Sequence, residues 1–478
     1  MTPHMLTRRH FLQRTGAGFG ALALQSLLSR DGLLASENPQ SSNPLAPRAP
    51  HFAPRARSVI FLFMYGGPSH VDLFDPKPAL AKWHGQPIPV WKKEDAFMGA
   101  KTRNVAMASP YAFAKHGQAG IEIAETFPNL ARHADKLCVI RSMHTESNNH
   151  GPALFQMNTG SILAGRPCMG SWVTYGLGSE SENLPAFVVL LDHQGAPVNG
   201  ALNWSNGFMP AAFQGVPFRS SGEPIAYLTP PKNVTTGRQR ARLDLLKQWN
   251  TGYAAAHPAE SDLAARINAY ELAFRMQMSA TECTDLAREP ESIRSLYGLD
   301  DKVTAHFGKN CLLARRLVER GVRFVQVYSG GNEGPKAWDA HDDLKKNHDL
   351  HCAETDRPIA ALLDDLQSSG LLDTTLVVWG GEFGRSPVAE NGKGRDHHPK
   401  GFTMWMAGGG IKGGMIHGAT DEFGYQAIED KVSVPDLHAT MLHQLGLDHE
   451  ELTYRFTGRD FRLTDVSGEV LRNLIASQ

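Results

Sequence analysis

Cysteine is scarce in this chain. Five thiols (Cys138, Cys168, Cys283, Cys311, Cys352) are scattered over 478 residues, odd in number and never at a CxxC or similar spacing. That excludes a disulfide scaffold and a Cys-type zinc site. Net charge is almost absent too: the formal value is −1, which gives no electrostatic reason to expect a nucleic-acid or membrane-surface partner. Beyond the N-terminal segment no apolar run approaches the roughly 18 residues that span a bilayer, and no lipobox cysteine is present. What is there fits a globular chain with a sizeable core, with 41% hydrophobic and 20% charged residues. The 21 histidines leave ample material for a metal site.

Near residue 1, Arg8-Arg9-His10-Phe11-Leu12 precedes a mildly apolar Gly/Ala/Leu-rich stretch from Gly16 to Leu28. That order is the layout of a twin-arginine export signal, which predicts a signal segment over 1–35, the Tat translocase as a transient partner, and a periplasmic or extracellular mature protein with no membrane span. Residues 36–57 are rich in Pro, Ser, Asn and Ala and read as a flexible linker. The folded domain is expected over 58–466, with a C-terminal tail at 467–478.

Within that domain one rhythm repeats: buried apolar strand, Gly turn, polar loop, helix. Ser58–Met64, Leu137–Ile140, Phe187–Leu191, Val322–Tyr328, Thr375–Trp379 and Phe402–Ala407 read as strands. Pro128–Ala134, Pro152–Asn158, Asn310–Arg320, a segment bearing Ile359, Leu362, Leu363 and Leu366, and one starting at Asp436 read as helices. Residues 79–126 read as an irregular excursion and 238–296 as a helical insertion. The pattern predicts an α/β fold, doubly wound, with a mostly parallel sheet flanked by helices.

In such sheets ligands sit beyond the carboxyl ends of the strands. Four predicted strand-end loops carry metal-type residues: His70 and Asp72; His150; Asp339 and His341; and Glu382 with Asp396, His397 and His398. A lone His is more often a hydrogen-bonded loop residue, and Asp72 or Asp339 alone would read as a helix cap. All four fall on one predicted edge, and together they point to one or two divalent ions, zinc first, then manganese or iron. Pro152–Asn158 begins beside His150 and turns its free amides toward the same edge, which suits an anion.

GGPSHVDLFDPKP, the NHGPA to MNTG segment, WDAH, TTLVVWGGEFGRSP, GRDHHP and DLHATMLHQLG together resemble the DUF1501 family of exported bacterial proteins, within the alkaline-phosphatase-like, sulfatase-like superfamily. The resemblance runs from about Ser58 to about Asp465. It implies metal-assisted cleavage of phosphate or sulfate esters, carried by a small molecule or a polysaccharide. It also implies Asp339 and His341 as ligands after the penultimate core strand, Glu382 in place of the strand-end Asp, and His397 or His398 as the last His ligand. Phe383 stands where the superfamily has a His. Counting back from Thr159-Gly160 puts the nucleophile position on His150, with Ser147 three residues upstream. The catalytic candidates are therefore His150 and Ser147, with Arg385 and Arg395 to pair with the anion and a metal-activated water as the other nucleophile. The alternative is a non-catalytic protein that binds a sulfated or phosphorylated ligand through the same pocket.

Overall fold

The computed structural model describes residues 43–98, 101–219, 224–225, 234–256, 270–276, 282–332 and 334–477. The twin-arginine segment, residues 36–42 of the expected linker and parts of the 238–296 stretch lie outside them. From Leu45 the chain forms one unit. Residues 48–57 carry no regular element and hydrogen-bond to the carbonyls of Leu177, Gly446, Gln444 and Thr374.

The strands that matter, in chain order, are β1 (Ser58–Met64), β2 (Thr102–Ala106), β3 (Cys138–His144), β4 (Phe187–Leu190), β5 (Val216–Phe218), β6 (Phe324–Ser329), β7 (Thr375–Gly380), β8 (Gly384–Glu390), β9 (Gly394–His398), β10 (Phe402–Ala407), β11 (Met415–His417) and β12 (Val432–Ser433). The helices that matter are α1 (His150–Thr159), α2 (Met169–Leu177), α3 (Thr236–Ala256), α4 (Ala305–Glu319), α5 (Leu344–Ser368) and α6 (Val434–Gln444). The main sheet runs β11-β3-β10-β7-β1-β6-β4-β5, with β12 added beside β3. β1, β4, β5 and β6 are parallel to their neighbours, and β7 is parallel to β1. β10 runs antiparallel to both β3 and β7. The sheet is therefore mostly parallel, as the continuous apolar strands predict.

Alternation along β1 explains how both faces are covered. Ile60, Leu62 and Met64 join the core that holds Leu312 and Leu317 of α4 and Ile359, Leu362 and Leu366 of α5. Val59, Phe61 and Phe63 point the other way, into the core of Met157 of α1, Trp172 of α2 and Leu437 and Met441 of α6. Helices on both faces force the site to the strand ends, where the Gly turns lie.

Several local expectations change. Residues 79–126 include β2 and an antiparallel hairpin, Phe113–His116 with Ile121–Ala124. The helix expected at Pro128–Ala134 is a 3-10 turn at Leu130–Lys136. The helix bearing Leu362 begins at Leu344, capped by Asp343, so Asp339 is released from a capping role. Ser433 caps α6 and Asp436 completes its capping box. The stretch after Glu382 is a hairpin rather than loops: β9 pairs with β8, which pairs with β2. Asn391 and Gly392 at its tip both take positive φ, 50° and 83°. Among the described residues no helix is long and apolar enough to cross a membrane.

Gly66, just past β1, has φ 114°, and a Cβ there would stand 2.7 Å from the backbone nitrogens of Trp338 and Asp339. Gly66→Ala is therefore expected to cost at least about 1–3 kcal/mol in urea unfolding, through strain and displacement of the 338–339 segment.

Candidate metal centre

The ends of β1, β6 and β7, the first turn of α1 and the β8–β9 hairpin meet at one place. Glu382 follows the Gly380-Gly381 turn, is buried, and accepts the Gly66 amide on both oxygens (3.0 and 3.2 Å). Arg385, in β8, is buried beneath it. Its guanidinium donates to the carbonyls of Gly67 (2.9 Å), Gly66, Arg395 (3.1 Å) and Trp338 (3.3 Å), and to Asp339 Oδ1 (2.7 Å). One side chain thus ties the β1 turn, the segment after β6 and the hairpin together.

Asp339 Oδ1 is the focus. His341 Nε2 lies 2.9 Å from it, His397 Nε2 3.1 Å and His150 Nε2 3.4 Å. His341 Nε2 and His397 Nε2 are 2.9 Å apart. The far nitrogen of each ring is also held. His150 Nδ1 meets Glu382 Oε1 at 2.6 Å, His341 Nδ1 meets Glu390 Oε2 at 2.5 Å, and His397 Nδ1 meets the Asn148 carbonyl at 2.7 Å.

Those partners decide the tautomers. Carboxylates and carbonyls only accept, so the hydrogen sits on Nδ1 in each ring, and a neutral imidazole then presents a lone pair at Nε2. Three such lone pairs crowded on one carboxylate oxygen require a cation among them, either added protons or a metal ion; donor atoms of His150, Asp339 and His397 lie within 4.8 Å of one another, while His341 groups with Glu390 and Asp396. The spacing fits a metal. A tetrahedral ion with bonds of about 2.0–2.1 Å holds its ligand atoms about 3.3 Å apart, and Asp339 Oδ1 lies 3.1 Å from His397 Nε2 and 3.4 Å from His150 Nε2. With neutral rings, the carboxylates of Asp339, Glu382 and Glu390 against the Arg385 guanidinium leave two formal negative charges. The donor set suits zinc, manganese or iron.

The electrostatics carry the same demand for positive charge. Burial works to raise the Asp339 carboxyl, yet Arg385 and the three imidazoles hold it well below the usual carboxylate range. Burial lowers His341, but Asp339 and Glu390 overcome it and lift the ring to about 9. His150 is raised against burial by Asp339 and Glu382. His397, the deepest ring, is pushed well below its ordinary value by burial and by its neighbour His150. Phe383 packs on the rings of His150 and His397 at 4.9 and 4.5 Å and supplies an apolar wall there.

Not every expected residue joins the cluster. Asp72 and Arg395 form a buried bidentate pair (2.7 and 3.1 Å), and Arg395 spends its other donors on the carbonyls of Ser386 and Met107. Neither is placed to hold a metal or an anion. Arg385, likewise filled by protein acceptors, shapes Asp339 instead of meeting a ligand. His70 and His398 turn to the carbonyls of Gly424 and Tyr425, and burial lowers both, His398 to about 4. Asp396 accepts from Phe97 N (2.9 Å) and Thr102 Oγ1 (2.7 Å), and burial pushes its carboxyl up. It stands behind His341 and Glu390, with one donor atom from each of the three within 4.8 Å of the others. Ser147 Oγ is engaged with the backbone of Asn149. The residue that sequence reasoning missed is Glu390. Its signal was the Asn391-Gly392 turn, which makes 384–398 a hairpin and puts Glu390 opposite Gly394.

The family described as "Protein of unknown function (DUF1501)" matches residues 56–475. No significant match to a curated protein is found. Among solved structures, the chain is similar to the lipoteichoic acid synthase LtaP from Listeria monocytogenes (10% identity, 90% of this chain and 80% of that one, TM-score 0.37). It is also similar to the phosphonate monoester hydrolase SpPMH from Silicibacter pomeroyi (13%, 73% and 71%, TM-score 0.36). A third is the PsFucS1 sulfatase from Pseudoalteromonas sp. (12%, 89% and 70%, TM-score 0.33).

Two substitutions separate the cluster from its frame. Glu390→Ala removes the acceptor that orients His341 and is expected to weaken metal affinity about 10–100-fold, read by competition with a chromogenic chelator. Asp72→Ala strands the Arg395 charge and is expected to cost about 3–5 kcal/mol in denaturant unfolding while the metal bound per folded molecule stays the same.

Proposed function

The chain belongs to the DUF1501 family, and from that premise we propose that it is an exported, metal-dependent hydrolase of sulfate or phosphate esters. The observation that carries the reading is the convergence of three Nε2 lone pairs on Asp339 Oδ1, each ring fixed by its own Nδ1 acceptor. A divalent cation bound there supplies Lewis acidity, polarising an ester oxygen and acidifying water. The export part rests on Arg8-Arg9 and the apolar stretch after it.

The side chains divide the remaining work. His150, His397 and Asp339 hold the charge, with His341 against Asp339; Glu382 and Glu390 fix two of the rings; Arg385 keeps Asp339 ionised. His341 is the most open of the four, its side chain 26% exposed, so an ester approaches on that side. His150 opens α1, whose dipole favours the transferring anion, although Gly151 N is taken by Asn149 Oδ1, Ala153 N by the Asn149 carbonyl, and Pro152 has no N–H to offer. No side chain is poised as nucleophile: both nitrogens of His150 face carboxylates, and Ser147 serves the local turn. Water is therefore the attacking group in this reading. The commitment of Arg385 and Arg395 to protein acceptors favours a second reading, in which the same centre binds a sulfated or phosphorylated ligand without turnover.

Metal analysis of the purified protein, paired with aryl sulfate and aryl phosphate assays, tests both. Chelator is expected to abolish turnover and added zinc or manganese to restore it. Asp339→Asn is expected to lose the bound ion together with activity, whereas Ser147→Ala stays within about twofold of wild type in kcat/KM. Bound metal with no turnover on either ester class would favour the binding reading. Metal content unchanged in both Asp339→Asn and His397→Ala would remove the centre itself.

A further inference from the structure

A second group of metal-type side chains stands apart from Asp339. Asp192 and His193 follow β4, His306 is the second residue of α4, and Glu354 lies on α5. Asp192 is 2% exposed. Its Oδ1 accepts from Gln194 N (2.8 Å) and lies 3.0 Å from His193 Nδ1, and its Oδ2 accepts from Gly330 N (3.0 Å). The rings of His193 and His306 pack with centroids 3.9 Å apart. One donor atom from each of Asp192, His193 and His306 lies within 4.8 Å of the others.

His306 Nε2 is the telling atom. It is shielded from solvent and has no hydrogen-bond partner among the described residues, although Glu354 Oε1 stands only 3.9 Å away. That gap is too long for a hydrogen bond. Leaving a ring nitrogen buried and unpaired is costly, and a cation held together with Asp192 and His193 relieves it. We propose that Asp192, His193 and His306 form a second site for a borderline divalent cation of the zinc type.

The site is placed to position the first one. Asp192 holds the Gly330 amide, and Glu354 Oε2 lies 3.0 Å from His351 Nδ1, whose Nε2 donates to the Ala337 carbonyl at 2.8 Å. Both ends of the 330–337 segment are thus tied to the two carboxylates, and Asp339 follows two residues later. A cation on Asp192 fixes the Gly330 end of the segment that leads to Asp339.

Zinc titration of demetallated full-length protein tests the site, with stoichiometry read by metal analysis after gel filtration. Wild type is expected to retain about two equivalents, and His193→Ala and His306→Ala about one each. His193 is a half-open surface residue, 38% exposed, so its truncation leaves folding intact. A zinc-edge anomalous map is expected to place a peak between His193 and His306. Zinc retention equal to wild type in both variants, or no peak there, would overturn the proposal. Asp339→Asn should lose only the other equivalent; if it loses none while His306→Ala loses one, the second site stands and the Asp339 centre fails.

Discussion

One carboxylate oxygen, Asp339 Oδ1, governs this edge of the molecule. Three imidazole nitrogens and a guanidinium lie within 3.4 Å of it. Such a focus is tolerable in a buried place only if charge is balanced and every other polar atom is paired. The surroundings meet both needs. Arg385 cancels one charge and spends its other donors on the carbonyls of three separate segments. Glu382, Glu390 and the Asn148 carbonyl each take one Nδ1–H. The Gly66-Gly67 turn lets β1 pass close enough for its amide to serve Glu382.

That arrangement explains why the hairpin after Glu382 is built as it is. A loop would leave His397 free to swing. As part of β9, paired to β8, the ring is held between Phe97 and Phe383 with Nε2 toward Asp339. Phe383 also keeps the deep side of the cluster apolar, which strengthens electrostatic contacts there. The same hairpin carries Arg395 to Asp72, so the ion pair that secures the β8–β9 frame and the rings that face Asp339 lie on one element. Substitutions in this hairpin therefore act through either frame or centre.

Strands with continuous apolar runs were legible because burial on both faces leaves no alternation to misread. The strand-end rule was enough to bring His150, Asp339, His341, Glu382 and His397 to one edge. What stayed hidden has physical reasons. Glu390 sits in a strand of mixed polarity, and its partner depends on a three-residue turn. Asp72 and Arg395 are 323 positions apart and look like any acid and base. His70 and His398 sit among ligand-like neighbours, yet backbone carbonyls claim them, and no side-chain pattern announces a carbonyl. The His193 and His306 pair needed the third dimension altogether.

The most direct measurement is anomalous diffraction at the absorption edge of the bound metal from crystals of the full-length protein. The account predicts a peak within about 2.0–2.2 Å of the Nε2 atoms of His150 and His397 and of Asp339. No anomalous signal beside Asp339 in metal-soaked crystals would contradict it.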